Sequence, residues 1–229
     1  MKLSVIIPAY NESRTLKTCV EAVYARNPGL ELEVIAVDDG STDSTPDIAA
    51  GLDLPGFKYI RHDRNRGKGA AIRTALAQVT GDFAIIQDAD LEYDPAEYKL
   101  LLEPLASGRA KAVYGSRILH ANPKSTWMFY LGGRLLSWWT NFLYGSSITD
   151  EPTCYKALDA ALLKSLDLRS NGFEFCPEVT GKLLKRGVEI LEVPISYAPR
   201  SVLEGKKIKF RDGITACWTL LKIRLTGRF

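Results

Sequence analysis

The chain is predicted to be an α/β protein with a mostly parallel sheet covered by helices on both faces, and three observations predict it. Apolar runs of four to six residues alternate with longer stretches at helical spacing. The first, second and fourth runs hold uninterrupted apolar stretches, residues 5–7, 34–37 and 83–86, as strands buried on both faces do. Three of them stop abruptly at polar clusters: Pro8-Ala9-Tyr10-Asn11-Glu12, Asp38-Asp39 and Asp88-Ala89-Asp90.

Residues 3–8 form the first strand, and residues 13–26 a helix in which Leu16, Cys19, Val20 and Val23 recur at helical spacing, with Ser13 as N-cap. Residues 33–37 form a second buried strand, ending at Asp38-Asp39-Gly40-Ser41. Ser44 or Thr45 then opens a helix with Pro46 in its first turn, where a missing N–H is tolerated. A third strand at 57–60 leads through Asn65-Arg66-Gly67-Lys68-Gly69 into a helix at about 69–79, and 83–87 is the fourth strand. The 65–69 stretch lacks the GxxxxGK[ST] spacing of a phosphate loop and reads as a helix-opening turn. Further on, 95–105 is a helix, 112–114 a short strand ending in Gly115-Ser116-Arg117, 175–186 a helix with Glu178 near its start, 189–193 a strand and 213–225 a last helix.

Parallel sheets bind ligands beyond the carboxyl ends of their strands, and all three polar clusters fall there. The fourth strand runs straight into Asp88, Asp90 and Glu92, spaced by two, so that in extended backbone the three acids line one edge. Such a row suits Mg2+ or Mn2+, which prefer carboxylate oxygens and complete their shells with water and substrate phosphate. A bare DxD is as compatible with a solvated acidic loop; three clusters at one edge point to a site.

With 229 residues and 46% hydrophobic content, the chain suits one fairly large domain with a single core. Cys19, Cys154, Cys176 and Cys217 form no CxxC pair, so neither a zinc site nor a disulfide framework is indicated. His62 and His120 are too few for a histidine metal centre or a Ser-His-Asp triad. The opening MKLSVIIPAY turns polar too soon for a signal peptide, and no apolar stretch is long enough to span a bilayer, which reads as an intracellular, non-spanning protein. Residues 206–229 carry seven basic side chains against Asp212 alone, which leaves the first 205 residues at −3 within an overall +3. A basic end on an acidic body suggests an anionic partner. Nucleic acid is not expected, because the basic residues cluster at one end while the candidate site is acidic.

Residues 127–144 are rich in aromatics. On a helix, Leu131, Leu135, Trp138 and Phe142 share one face while Ser137, Thr140, Asn141 and Tyr144 share another. In the last helix Ile214, Trp218, Leu221 and Leu225 recur beside Lys222 and Arg224. Both segments suit either packing on the sheet or lying in a membrane interface, and the basic residues favour the membrane for the second.

The motifs VIIPAYNE, VDDGSTD and QDADLEYDP closely resemble the family 2 glycosyltransferases, and the later segments YGSR, TDEPTCYK and EVPISYAPRSVLEGKKI resemble the branch of dolichol-phosphate mannose and polyprenyl-phosphate hexose synthases. The resemblance implies a GT-A fold, a Rossmann-like mostly parallel sheet flanked by helices, over residues 1–205, with 206–229 a basic amphipathic C-terminal segment of the same domain. It implies that Pro8, Tyr10, Glu12, Val37 and Asp39 line the base and ribose pocket, and that Asp88 and Ala89 lie against the ribose and sugar. Asp90, with Glu92, would hold Mg2+ or Mn2+ on the diphosphate; a Gln can stand at the Glu92 position in the family. Arg117 matches an arginine facing donor phosphates and acceptor, Arg200 and Lys206 match basic residues closing over the nucleotide, and Asp150 falls near the acceptor. The implied partners are a nucleotide-diphosphate sugar (GDP-mannose or a UDP-hexose), a polyprenyl or dolichyl phosphate and the cytoplasmic face of a membrane, where a membrane partner subunit or a homo-oligomer is compatible.

Hexose transfer leaves charge on the departing diphosphate, and cations at Arg117, Arg200 and Lys206 would stabilise it. A lipid phosphate is already ionised and needs no strong base, whereas a sugar or protein hydroxyl would need one, with Asp150 the first candidate. The plainer readings are surface ion pairs for Arg117 and Arg200, a solvated charge run at Lys206-Lys207, a first-turn helix acid at Glu12 and, for the whole chain, a nucleotide-binding scaffold without turnover.

Overall fold

The computed structural model describes residues 1–27, 29–123, 126–200 and 210–226. β1 (Lys2–Ala9) lies inside the sheet because Leu3, Val5, Ile6 and Ile7 are all fully buried, on alternate faces, which requires a layer on each side. β2 (Glu31–Asp38) and β4 (Phe83–Ile86) flank it in parallel, and β3 (Phe57–Arg61) extends the sheet beyond β2. On the other side β5 (Ala112–Ser116) pairs in parallel with β7 (Leu191–Pro194), and β6 (Lys156–Asp159) joins β4 to β5 antiparallel to both. The order is β3-β2-β1-β4-β6-β5-β7.

One apolar cluster lies on each face. The first packs Val5, Ile7 and Val34 against Leu16, Val20 and Val23 of α1 (Leu16–Ala25), Ala49 of α2 (Thr45–Ala50) and Tyr98 and Leu101 of α4 (Tyr98–Ala106). The second packs Ile6, Ile35 and Ile86 against α3 (Lys68–Leu76), with Leu163 of α6 (Ala160–Ser165) and Val179 of α7 (Phe175–Lys185). Each buried Ile, Leu or Val contributes roughly 2 kcal/mol of transfer free energy. Helices cover these strands on both faces.

Several expectations shift. Thr15, not Ser13, is the residue before α1; the Ser13 N–H instead donates to Asp43. The 95–105 helix begins with a 3-10 turn, Pro95–Glu97. β6 and α6 were not expected: the four residues of β6 begin at Lys156 and end at Asp159 and carry no apolar run, and Lys156 is buried with its ammonium 2.7 Å from the Glu151 carbonyl and 3.8 Å from the Tyr114 ring.

α5 (Trp127–Tyr144) turns its polar side inward. Ser137 and Thr140 are buried, and Asn141 grips residue 148 through both its oxygen and its nitrogen. Trp138 and Phe142 are 62% and 69% exposed. α8 (Phe210–Thr226) lies beside it, sharing a small cluster of Leu136, Ala216 and Leu220, with Trp139 Nε1 and Tyr144 Oη donating to carbonyls of α8. Its other face, Ile214, Trp218 and Leu225, is exposed, so α8 both docks on its own domain and leaves apolar surface uncovered. Among the described residues no helix is long and apolar enough to cross a membrane.

Candidate active site

Parallel pairing sets Ala9 beside Asp38 and Ile6 beside Ile86, so the ends of β1, β2 and β4 deliver their polar clusters to one edge, as expected. Asp39 is buried there. Its carboxylate accepts the N–H of Arg66 at 2.9 Å and of Gly67 at 2.7 Å, and lies 2.7 Å from His62 Nδ1. Gly67 has φ +99°, and a Cβ on it would run into the Asn171 carbonyl, so this turn requires glycine. The turn ends at Lys68, whose ammonium is 2.6 Å from Asp88 and donates to Cys154 Sγ. Burial opposes both charges, but their mutual attraction prevails, holding Lys68 above and Asp88 below their ordinary ranges. Gln87, fully buried, fixes the backbone here: Nε2 donates to the Asp88 carbonyl while Oε1 accepts from Tyr98 and Tyr155.

Three acids converge on one cation. Arg200 places Nη2 2.9 Å from Asp90 and Nη1 3.3 Å from Glu12, with Nε 3.8 Å from Glu92. Glu92 is tied to the same segment through both oxygens, which accept the Arg200 N–H and the Tyr197 hydroxyl, each at 2.8 Å. Asp90 is pushed up to about 7, by burial first and then by Asp88 and Glu92 beside it. Carboxylate oxygens are hard donors of the kind Mg2+ and Mn2+ take. Among the described residues no group of three or more acids, histidines or cysteines is placed to hold a metal; Glu12, Asp90 and Glu92 instead share Arg200, and only the kind of donor atom matches a divalent ion there.

At the end of β5, Arg117 lies against Asp150. The N–H and Nε of Arg117 donate to one carboxylate oxygen at 2.9 and 2.7 Å, and Nη2 to the other at 2.7 Å. Glu192 of β7 accepts the N–H groups of Thr149 and Asp150, and the Tyr197 ring lies 5.0 Å from the guanidinium. Despite burial, Arg117 holds the Asp150 carboxyl below its ordinary range. A carboxylate committed in this way positions an arginine; it is poorly placed to take a proton.

Of the other expected residues, Pro8 and Tyr10 are half-buried at the same edge. The side chains of Val37 and Ala89 lie in the two cores, which leaves only their backbone for a ligand. Lys206 lies outside the described residues. Lys68, Gln87, Glu192 and Tyr197 were given no role, although each stands in a segment singled out in the sequence: Lys68 in the 65–69 turn, Gln87 in QDADLEYDP, and Glu192 and Tyr197 in EVPISYAPRSVLEGKKI.

The family model "Glycosyl transferase family 2" matches residues 4–164. Over 92% of its length the chain is 33% identical to a low-salt glycan biosynthesis hexosyltransferase of Haloferax volcanii, covering 51% of that protein. It is 30% identical over 91% of its length to a dolichol-phosphate mannosyltransferase of Pyrococcus furiosus, covering 61% of it. A UDP-N-acetylglucosamine–dolichyl-phosphate N-acetylglucosaminyltransferase of Methanococcus voltae is 30% identical over 96% of the chain and is itself 95% covered. The chain thus spans about half to three-fifths of the first two relatives. In fold it is similar to glucosyl-3-phosphoglycerate synthase from Mycobacterium tuberculosis, solved with Mn2+, UDP and phosphoglyceric acid: TM-score 0.76 at 22% identity, covering 98% of this chain and 78% of that one.

Proposed function

The chain belongs to glycosyl transferase family 2, and on that footing we propose that it transfers a hexose, with inversion, from a nucleotide-diphosphate sugar to a polyprenyl phosphate such as dolichyl phosphate at a membrane surface. The named relatives that act on dolichyl phosphate support the acceptor class. Pro8, Tyr10, Glu12 and Asp39 would flank the nucleotide, and Asp88 with Lys68 the sugar side. Asp90, with Glu92, would hold Mg2+ or Mn2+, which when bound supplies positive charge at the departing diphosphate.

The observation that carries the acceptor is the Arg117–Asp150 pair. Arg117 is a fixed cation whose orientation is set by Asp150 and Tyr197, suited to drawing an anionic phosphate to the donor. A hydroxyl acceptor would need a base, and Asp150 is engaged by Arg117 through both oxygens. The lipid is consistent with the outer faces of α5 and α8, where Trp127, Leu135, Trp138, Phe142, Trp218 and Leu225 are exposed. α5 also reaches the acceptor side: Arg134 donates to the Thr149 carbonyl, and Ser137 accepts the Glu151 N–H. A peripheral station at the cytoplasmic face follows from this reading.

Incubation with radiolabelled nucleotide sugars and polyprenyl phosphate is expected to give an organic-soluble product that a chelator abolishes. Label appearing only in a water-soluble glycoside would overturn the lipid acceptor.

A further inference from the structure

Resting on the reading of Asp90 as the metal-holding residue, we infer that Arg200 is a built-in counter-ion for the acid row, which a divalent cation displaces when it binds. Glu12, Asp90 and Glu92 bring three carboxylates to side-chain exposures of 10 to 13%, and Arg200, 18% exposed, is the cation that touches all three. Without a positive charge there, three acids in a shielded place would repel one another.

The guanidinium fits this place imperfectly. Among the described residues its Nε is buried without a hydrogen-bond partner, 3.8 Å from Glu92, and its contact with Glu12 is long at 3.3 Å. The best bond runs to Asp90, the residue that the metal would need. A planar fork bonds carboxylates at nearly 3 Å, whereas a hard divalent ion draws their oxygens in to about 2.1 Å. The two cations therefore exclude each other at Asp90. With all three carboxylates ionised, exchange would change the net charge of the cluster from −2 to −1 and free one guanidinium beside the place where a diphosphate would lie. Arg200 stays tethered close by through its N–H bond to Glu92 and that of Ala198 to the Glu92 carbonyl. It thus serves the acids before metal binds and the substrate phosphates afterwards.

A competitor that holds the site lowers apparent metal affinity in proportion to its occupancy. Mn2+ binding followed by electron paramagnetic resonance, without nucleotide, is expected to be about tenfold tighter in Arg200→Gln than in the wild type and near wild type in Arg200→Lys. In 15N-arginine-labelled wild-type protein, Mg2+ is expected to shift the side-chain Nε–H resonance of Arg200. Because Arg200→Gln leaves the acids unbalanced, its melting temperature is expected to rise more with Mg2+ than that of the wild type. Equal or weaker Mn2+ binding by Arg200→Gln, or an Arg200 resonance that stays put in metal-saturated wild type, would overturn the exchange while leaving the metal reading intact. No Mn2+ binding by any form, with or without UDP or GDP, would overturn both.

Discussion

Asp150 holds Arg117 at three points, through its backbone N–H, Nε and Nη2, with side-chain exposures of 4% and 21%. Removing one partner of such a pair leaves a shielded charge uncompensated. Asp150→Asn is expected to destabilise the fold by about 3 kcal/mol in urea unfolding and to lower transfer by on the order of a hundredfold, since misplacing a positioned group costs that much. Arg117→Lys is expected not to restore activity, because an ammonium cannot reproduce the fork. Normal turnover in Asp150→Asn would refute the positioning role.

Glu151, next in sequence, is fully buried, and among the described residues neither carboxylate oxygen has a hydrogen-bond partner. Burial pushes its carboxyl up to about 7 from 4.5, against the pull of Lys156. Between those values the folded chain keeps the proton that the unfolded chain releases, so stability falls as pH rises through this window and is level above it. Its contribution to that loss is roughly 3 kcal/mol. Urea midpoints measured from pH 4.5 to 8 are expected to show the decline, and Glu151→Gln to flatten it.

Trp138 and Phe142 stack at 5.8 Å on the outer face of α5 and are exposed. The double change to serine is expected to leave the melting temperature within about 2 °C, since exposed positions away from special features move stability little. Sedimentation with anionic liposomes should drop by about tenfold or more, because two aromatic anchors are lost. A large loss of stability with liposome binding unchanged would instead mark these rings as part of the fold.

Gly67→Ala places a Cβ against the Asn171 carbonyl at φ +99°. It is expected to cost about 2 kcal/mol or more. The same change should weaken nucleotide binding in calorimetry, because the 66–67 N–H groups that hold Asp39 would shift.

All three relatives align over more than nine-tenths of this chain. Strands β1, β2 and β4 were legible because each holds a continuous apolar run, and the polar ends were legible because a parallel sheet gathers such ends at one edge; β3, FKYIR, is an edge strand with Lys58 and Arg61 in it. β6 escaped notice because Lys156 and Asp159 break its pattern, and its burial depends on partners at Glu151 and Tyr114 that are distant or not periodic in sequence.

The sequence by itself determined the fold class and the sheet edge where the three polar clusters gather, since these follow from local periodicity and from the places where the apolar runs stop. Only the tertiary structure decided which charge meets which. That Lys68 meets Asp88, that Arg200 meets Glu12 across 188 positions, and that α5 turns Ser137 and Thr140 inward and Trp138 and Phe142 outward depend on packing between distant segments. Coulomb forces and burial act through space, and distance in space is what a linear pattern omits.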